Sequence, residues 1–260
     1  MAETGLGEAR FEIGAVISRA FEAMGSNFLL FFGLSLVLAG LPAFILEYWQ
    51  ATQIDMTGNL ADGSYFFSSG YWSAIGVSVI VSMVTGAILQ SALTRATVMS
   101  LAGEKPQFVP CLMVGLTLLL PMIAIGLIEG IALFVGFMLL VVPGVILWLV
   151  WSVVTPAYVQ EKIGIFEAFG RSVELTSGSR WRIFLTVLIM VVLLWVLSIP
   201  VGFVVSAVTL TGNAVLVALI GAAVAALRSM IMVTLVASIY VELRKLKEGI
   251  APAELEAIFA

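Results

Sequence analysis

The chain has 260 residues, of which 62% are apolar and only 11% are charged. Soluble domains carry about 45–50% apolar and about 25% charged residues, so much of this apolar surface must face lipid. The formal net charge of −4 gives no reason to expect a nucleic-acid partner.

The inventory of reactive side chains argues against an enzyme. Histidine is absent, which removes the commonest general base and the commonest metal ligand. The single cysteine, Cys111, excludes an intramolecular disulfide and the usual thiolate metal sites. We therefore expect no catalytic residue, no cofactor and no metal site.

The chain begins with an amphipathic segment that precedes any long apolar run. Its acidic start lacks the positive charge of a secretory signal, so we expect no cleaved leader. Between Glu8 and Met24 the polar and apolar positions fall on opposite helical faces, which predicts an interfacial helix within residues 1–27. The polar face contains Glu8, Glu12, Arg19 and Glu22, and the apolar face contains Ile13, Val16, Ile17, Ala20, Phe21 and Met24.

Six apolar runs follow, and each is long enough for the about 20 residues that a membrane-spanning helix needs. The apolar stretch from Cys111 to Val159 is too long for one helix, and Pro143-Gly144 marks the predicted turn within it. The fold class is therefore all-α, a polytopic bundle of six transmembrane helices in one integral membrane domain. The predicted spans are 28–46, 72–101, 111–141, 143–159, 183–210 and 214–240.

The positions of lysine and arginine predict the orientation of the bundle. Outside the predicted spans, basic residues occur only before helix 1, between helices 2 and 3, between helices 4 and 5, and after helix 6. By the positive-inside rule both termini are cytoplasmic. We expect a multi-pass protein of the bacterial inner membrane, in which 47–71 is a periplasmic loop and 160–182 and 241–260 are cytoplasmic.

The cytoplasmic segment 160–182 repeats the amphipathic pattern of the N-terminus. Its polar positions Glu167, Arg171 and Glu174 lie opposite an apolar face. Arg171-Ser-Val-Glu174 ahead of helix 5 parallels Arg19-Ala-Phe-Glu22 ahead of helix 1. We therefore predict interfacial helices before helices 1 and 5 and a possible internal repeat of one such helix with two spans.

Two charged residues, apart from Arg95 near the end of helix 2, lie inside predicted spans. Glu129 sits in helix 3 within Gly126-Leu-Ile-Glu-Gly130, a GxxxG pattern that permits close helix approach, and Arg228 sits near the middle of helix 6. A lone charge at the bilayer centre costs about 2.5–3.5 kcal/mol. We predict that the two residues pair, either as a structural ion pair or as a substrate or proton-relay site; alternatively, Arg228 snorkels alone to the interface.

Helix 2 carries a polar stripe at four-residue spacing. This stripe is either a helix-packing surface or the wall of a polar path. Its members are Ser78, Ser82, Gly86, Gln90 and Thr94.

The run from Val141 to Phe184 carries a family resemblance. It resembles the membrane domain found in some glycerophosphodiester phosphodiesterases and related YciC-like integral membrane proteins. The resemblance implies a six-span layout, and it implies the membrane part alone, because the catalytic barrel is absent. It rests on Pro143-Gly144, a Trp-rich span to Pro156, Glu161, Ala168, Arg171-Ser172, Leu175, Gly178 and Trp181-Arg182.

These features favour a non-catalytic inner-membrane protein that acts as a scaffold or partner-binding module in envelope or lipid-related function. Its partners would be membrane lipids and a protein at the cytoplasmic face; its oligomeric state stays open. Alternatively, the cytoplasmic segments only anchor the bundle, or the chain is a small-molecule or lipid transporter that uses Glu129 and Arg228. The predicted recognition surface comprises Arg19, Glu161, Arg171, Ser172, Glu174 and Trp181.

Overall fold

The computed structural model describes residues 11–53 and 69–249, so most of the predicted loop 47–71 lies outside the described residues. Within the described ranges all regular structure is helical. Six segments are long and apolar enough to cross a membrane, as the sequence predicts. The all-α fold class is confirmed.

The helices follow one another closely along the chain. The first membrane-length segment combines two helices and a π-helical turn. A break precedes the third segment, and another break interrupts the fourth. In chain order the elements are α1 (Ile13–Ser26), α2 (Phe28–Ser35), the π-helical turn (Leu36–Gly40), α3 (Leu41–Gln53), α4 (Ser69–Leu101), α5 (Phe108–Thr117), α6 (Leu119–Leu139), α7 (Val141–Val150), α8 (Val154–Glu161), α9 (Ile165–Thr176), α10 (Arg180–Thr209) and α11 (Ala214–Glu248).

Two predicted spans are not single helices. The prediction of one helix over 111–141 is wrong, because the chain breaks at Leu118 between α5 and α6. Pro121 is the third residue of α6; it has no N–H for the carbonyl four residues earlier, and its ring crowds that carbonyl. Pro156 is likewise the third residue of α8, and the predicted helix 143–159 is interrupted between Val150 and Val154.

The first membrane-length segment changes its helical pitch instead of breaking. Ahead of Pro42, the Leu41 N–H donates to the Leu36 carbonyl, a five-residue step that defines the π-helical turn. Gly40, at the end of this turn, lies against α11. A Cβ at Gly40 would stand 2.9 Å from the Ala222 carbonyl oxygen, so glycine permits this close approach.

Both amphipathic helices form, and both lie at one end of the bundle. Val16, Ala20 and Met24 on the predicted apolar face of α1 are buried. Arg19 of α1 forms an ion pair with Glu242 near the end of α11. We call this end, where α1, α9 and the C-terminal turns of α11 meet, the basic end.

Candidate functional site: an intramembrane cavity and an ionic cluster

The break between α7 and α8 leaves backbone groups that α9 partly satisfies. The Ser172 hydroxyl donates to the Val150 carbonyl at 2.8 Å, and the Val153 N–H donates to the same hydroxyl at 3.4 Å. Ser172 is fully buried. Within a membrane, irregular backbone is tolerated where protein or a cavity surrounds it, and α9 supplies that protein.

The same helix also orients an aromatic side chain at the break. Phe169 of α9 packs edge-on against Trp151, with ring centroids 4.8 Å apart. Such aromatic pairs contribute about 0.5–1.5 kcal/mol beyond the area that they bury. Because Phe169 is buried, α9 holds Trp151 from the side of the basic end.

Trp151 lines a cavity of about 230 Å³ between α4, α6, the broken segment α7–α8 and α11. Polar side chains from three directions converge on this space. The Thr155 hydroxyl donates to the Gln90 side-chain oxygen at 3.2 Å, which joins α8 to α4. The polar and aromatic lining residues are Gln90, Thr94, Glu129, Trp148, Trp151, Ser152 and Thr155.

Among the residues of 11–53 and 69–249, Glu129 is the only acidic side chain that lines this cavity. Among the described residues it has no hydrogen-bond or ion-pair partner. It faces a space bordered by Trp148 and Trp151. Indole faces and a carboxylate together form a site that favours a small cation.

The predicted pairing of Glu129 with Arg228 is wrong in this structure, because no ion pair joins them. Arg228 lines a different cavity, between α10 and α11, and only Met232 borders both. On α11, Val233 and Val236 face Glu129. Arg228 lies about 140° around the helix from Val233, so comparable depth does not bring the two charges together.

This separation predicts additive effects of the two charge removals. The double variant Glu129→Gln/Arg228→Met should change the free energy of unfolding by the sum of the single effects, within about 0.5 kcal/mol. The measurement is a double-mutant cycle on protein purified in detergent. A coupling above about 1 kcal/mol would show that the charges meet.

The polar stripe of helix 2 and the GxxxG pattern have limited roles in the site. Only Gln90 and Thr94 of the stripe line the cavity. A Cβ at Gly126 or Gly130 would meet nothing within 4 Å, so these glycines do not mark a close helix contact. Like Gly40, Gly115 lies at a close helix contact, because a Cβ there would stand 2.5 Å from the carbonyl oxygen of Ile88 in α4.

A cluster of charged side chains lies at the basic end, and Arg171 is central to it. Its Nε donates to Glu161 at 2.8 Å, its Nη1 donates to Glu174 at 3.0 Å, and its Nη2 pairs with Glu248. Burial by itself lowers the pKa of the Arg171 guanidinium, but the carboxylates of Glu161 and Glu174 reverse this, so the pKa is raised. Arg171 therefore stays charged and bound.

α11 supplies the other side of this ionic cluster, which we define as Glu161, Arg171, Tyr240, Arg244 and Glu248. The Tyr240 hydroxyl donates to Glu161 at 2.9 Å, and Arg244 Nη2 donates to Glu248 at 2.5 Å. Tyr240 is fully buried and Arg244 is 5% exposed. The ionic cluster thus fastens α8 and α9 to the end of α11.

Four of the six residues of the predicted recognition surface make contacts within the bundle, which suits the alternative in which these segments anchor it. Arg19, Glu161 and Arg171 are held in ion pairs, and Ser172 is buried. Their partners come largely from α11, whose C-terminal end the predicted orientation places on the same side of the membrane without giving the individual contacts. Two predicted residues, Glu174 and Trp181, are exposed.

The sequence analysis missed Tyr240, Glu242, Arg244 and Glu248. Arg244 and Glu248 have the i,i+4 spacing of a helical ion pair, a signal that was present but was attributed to membrane orientation alone. Within the described residues, no group of three or more acidic, histidine or cysteine side chains could hold a metal ion.

Comparisons with known proteins found no match to this chain among family models, curated proteins or solved structures. The resemblance to the membrane domain of glycerophosphodiester phosphodiesterases therefore stays a prediction.

Proposed function

We propose that this chain is a non-catalytic protein of the bacterial inner membrane, with both termini in the cytoplasm, that binds small organic cations inside the bundle and passes them across the membrane. The observation that carries the proposal is the cavity that Glu129 lines together with Trp148 and Trp151. A carboxylate in this setting attracts a cation, and indole faces add about 0.5–2 kcal/mol for an ammonium group.

The broken segment α7–α8 supports transport over static binding. Membrane transporters commonly place their sites at discontinuous helices, where irregular backbone lines a cavity. Here the break at Trp151 to Val153 borders the cavity directly. Rearrangement of α8 against α4 would open the cavity to one side, and the Thr155–Gln90 hydrogen bond is the contact that it would break.

Tetraethylammonium is a suitable probe because it is a small, permanently charged organic cation. Its affinity for the purified full-length protein should fall at least tenfold in Glu129→Gln, a loss of about 1.4 kcal/mol. Equilibrium binding of the radiolabelled cation measures this. The matched control is Arg228→Gln, which also removes one intramembrane charge but lies on another cavity.

Glu129→Asp should bind with intermediate affinity, because it keeps the charge on a shorter side chain. Equal affinity in wild type and Glu129→Gln, or no saturable binding to the folded wild-type protein, would contradict the proposal.

The second candidate function is a scaffold or partner-binding module at the cytoplasmic face, in envelope or lipid-related function. The specific observation in its favour is the exposure of Phe166 and Trp181, which are 79% and 77% exposed, beside the exposed carboxylate of Glu174. Aromatic side chains at that position also suit the membrane interface, so this surface favours lipid contact as well as a protein partner.

A further inference from the structure

A cleft separates α10 from α11, on the side of α11 away from the Glu129 cavity. Two adjoining cavities, of about 450 Å³ and about 420 Å³, form this cleft and share Val201, Val224 and Leu227 as lining residues. Pro200 lies inside α10 and lines the second cavity, which is farther from the basic end. The proline interrupts backbone hydrogen bonding in α10 where the two cavities meet.

The lining of the cleft has one charge. Arg228 lies in the first cavity with Trp195 and Ser198, and the other residues there are aliphatic or methionine. The second cavity is lined wholly by apolar side chains. A cation with a long apolar channel on one side matches an amphiphile with an acidic head and a hydrocarbon tail.

Within the part of the chain that the structure describes, no acceptor binds the five N–H groups of Arg228. It is exposed on the surface of the bundle, and it makes no hydrogen bond or ion pair with any residue of 11–53 or 69–249. Inserting an arginine without a counter-charge at the bilayer centre costs about 2.5–3.5 kcal/mol. An anionic ligand would remove that cost.

Arg228 lies near the middle of α11, far from both ends of the helix. It lies 12 residues before Tyr240 of the ionic cluster and 15 after Asn213. At about 1.5 Å per residue these separations are about 18 Å and about 22 Å along the helix. An arginine side chain reaches only a few ångströms toward the interface, so a counter-charge must come to it.

We propose that the cleft binds a single-chain acidic amphiphile of the fatty-acid class, which enters from the bilayer. Its carboxylate binds the Arg228 guanidinium, and the planar fork of nitrogens matches a carboxylate in two parallel hydrogen bonds. Its hydrocarbon chain lies in the apolar cavity beside Pro200. One guanidinium and one apolar groove match one acidic head and one hydrocarbon chain.

The test is binding of oleate to the full-length protein in nanodiscs of zwitterionic lipid. Two competitors define the chemistry: oleyl alcohol has the same chain without the charge, and phosphatidylglycerol has an anionic head with two chains. Unlabelled oleate should displace radiolabelled oleate at a concentration at least tenfold lower than either competitor requires. Equal competition by oleyl alcohol would show that the cleft binds hydrocarbon alone, and stronger competition by phosphatidylglycerol would show a phospholipid site; either result overturns the proposal.

The variants separate the head from the chain. Arg228→Gln should weaken oleate binding at least tenfold, and Arg228→Lys should weaken it less, because it keeps the charge without the fork. Val224 lines both cavities. Val224→Trp leaves Arg228 in place but fills part of the cleft with a larger side chain, so it should also weaken oleate binding. Lys245→Gln removes an exposed positive charge and is the matched control that should bind normally.

Unchanged oleate affinity in both Arg228→Gln and Val224→Trp would refute the site. Removing a lone intramembrane charge favours insertion, so Arg228→Gln should be well folded. The oleate site and the organic-cation site are tested independently, because Glu129→Gln should leave oleate affinity unchanged.

Discussion

Replacing Arg171 with methionine should lower the stability of the purified protein by about 3 kcal/mol, because it leaves the part-buried carboxylates of Glu161 and Glu248 with Arg244 as their remaining cation. Glu161 and Glu248 are only 12% and 22% exposed, and both face Arg171. Thermal unfolding in detergent should show a large fall in melting temperature. Lys247→Met removes the same charge from an exposed position three residues beyond Arg244, and it should change the melting temperature little.

The ionic cluster also predicts how a second substitution would act on the first. Glu161→Gln in the Arg171→Met background removes one of the carboxylates that lost Arg171. The loss of stability in the double variant should therefore be smaller than the sum of the two single losses. If Arg171→Met unfolds at the same temperature as Lys247→Met, the ionic cluster contributes nothing to stability, and α9 is held by its apolar face alone.

The orientation of the bundle predicts an all-or-none labelling result. In a Cys111→Ala background, cysteine at Asp62 or Asn213 should react with a membrane-impermeant maleimide added to intact cells. Cysteine at Lys105 or Lys247 should react only after the cells are permeabilised. The physical reason is the location of the extramembrane basic residues on one side, which the positive-inside rule assigns to the cytoplasm.

Each labelling position has a built-in control, since permeabilisation exposes both sides of the membrane. Labelling of Lys105→Cys in intact cells would reverse the proposed orientation or remove a span from the six-helix layout. Lack of labelling at Asn213→Cys in intact cells would place the turn between α10 and α11 on the cytoplasmic side and contradict the proposed orientation.

The spans could be predicted because an apolar run of about 20 residues has few alternatives to a membrane helix. The breaks at Leu118 and at Trp151 to Val153 could not, because hydropathy does not change there. The signal that was present is the position of Pro121 and Pro156, each at the third residue of the helix that follows the break.

The candidate site was predicted in part. Sequence reasoning found Glu129, Gln90 and Thr94, and the structure brings these three to one cavity. It paired Glu129 with Arg228 because their depths overlap, but depth gives no information on which way each helix is turned. The contacts of Arg171 and Glu161 with α11 could not be predicted, because their partners on α11 are distant in sequence.

The most direct measurement of the proposed function is counterflow of radiolabelled tetraethylammonium into proteoliposomes that are preloaded with the unlabelled cation. Transport through the Glu129 cavity predicts transient, saturable accumulation of label in wild-type vesicles. Accumulation should be lost in Glu129→Gln and retained in Arg228→Gln. The vesicles of all three proteins are matched in protein content and in the orientation of the inserted protein. Accumulation no greater than in protein-free vesicles, or equal accumulation in wild type and Glu129→Gln, would contradict transport of organic cations by this cavity.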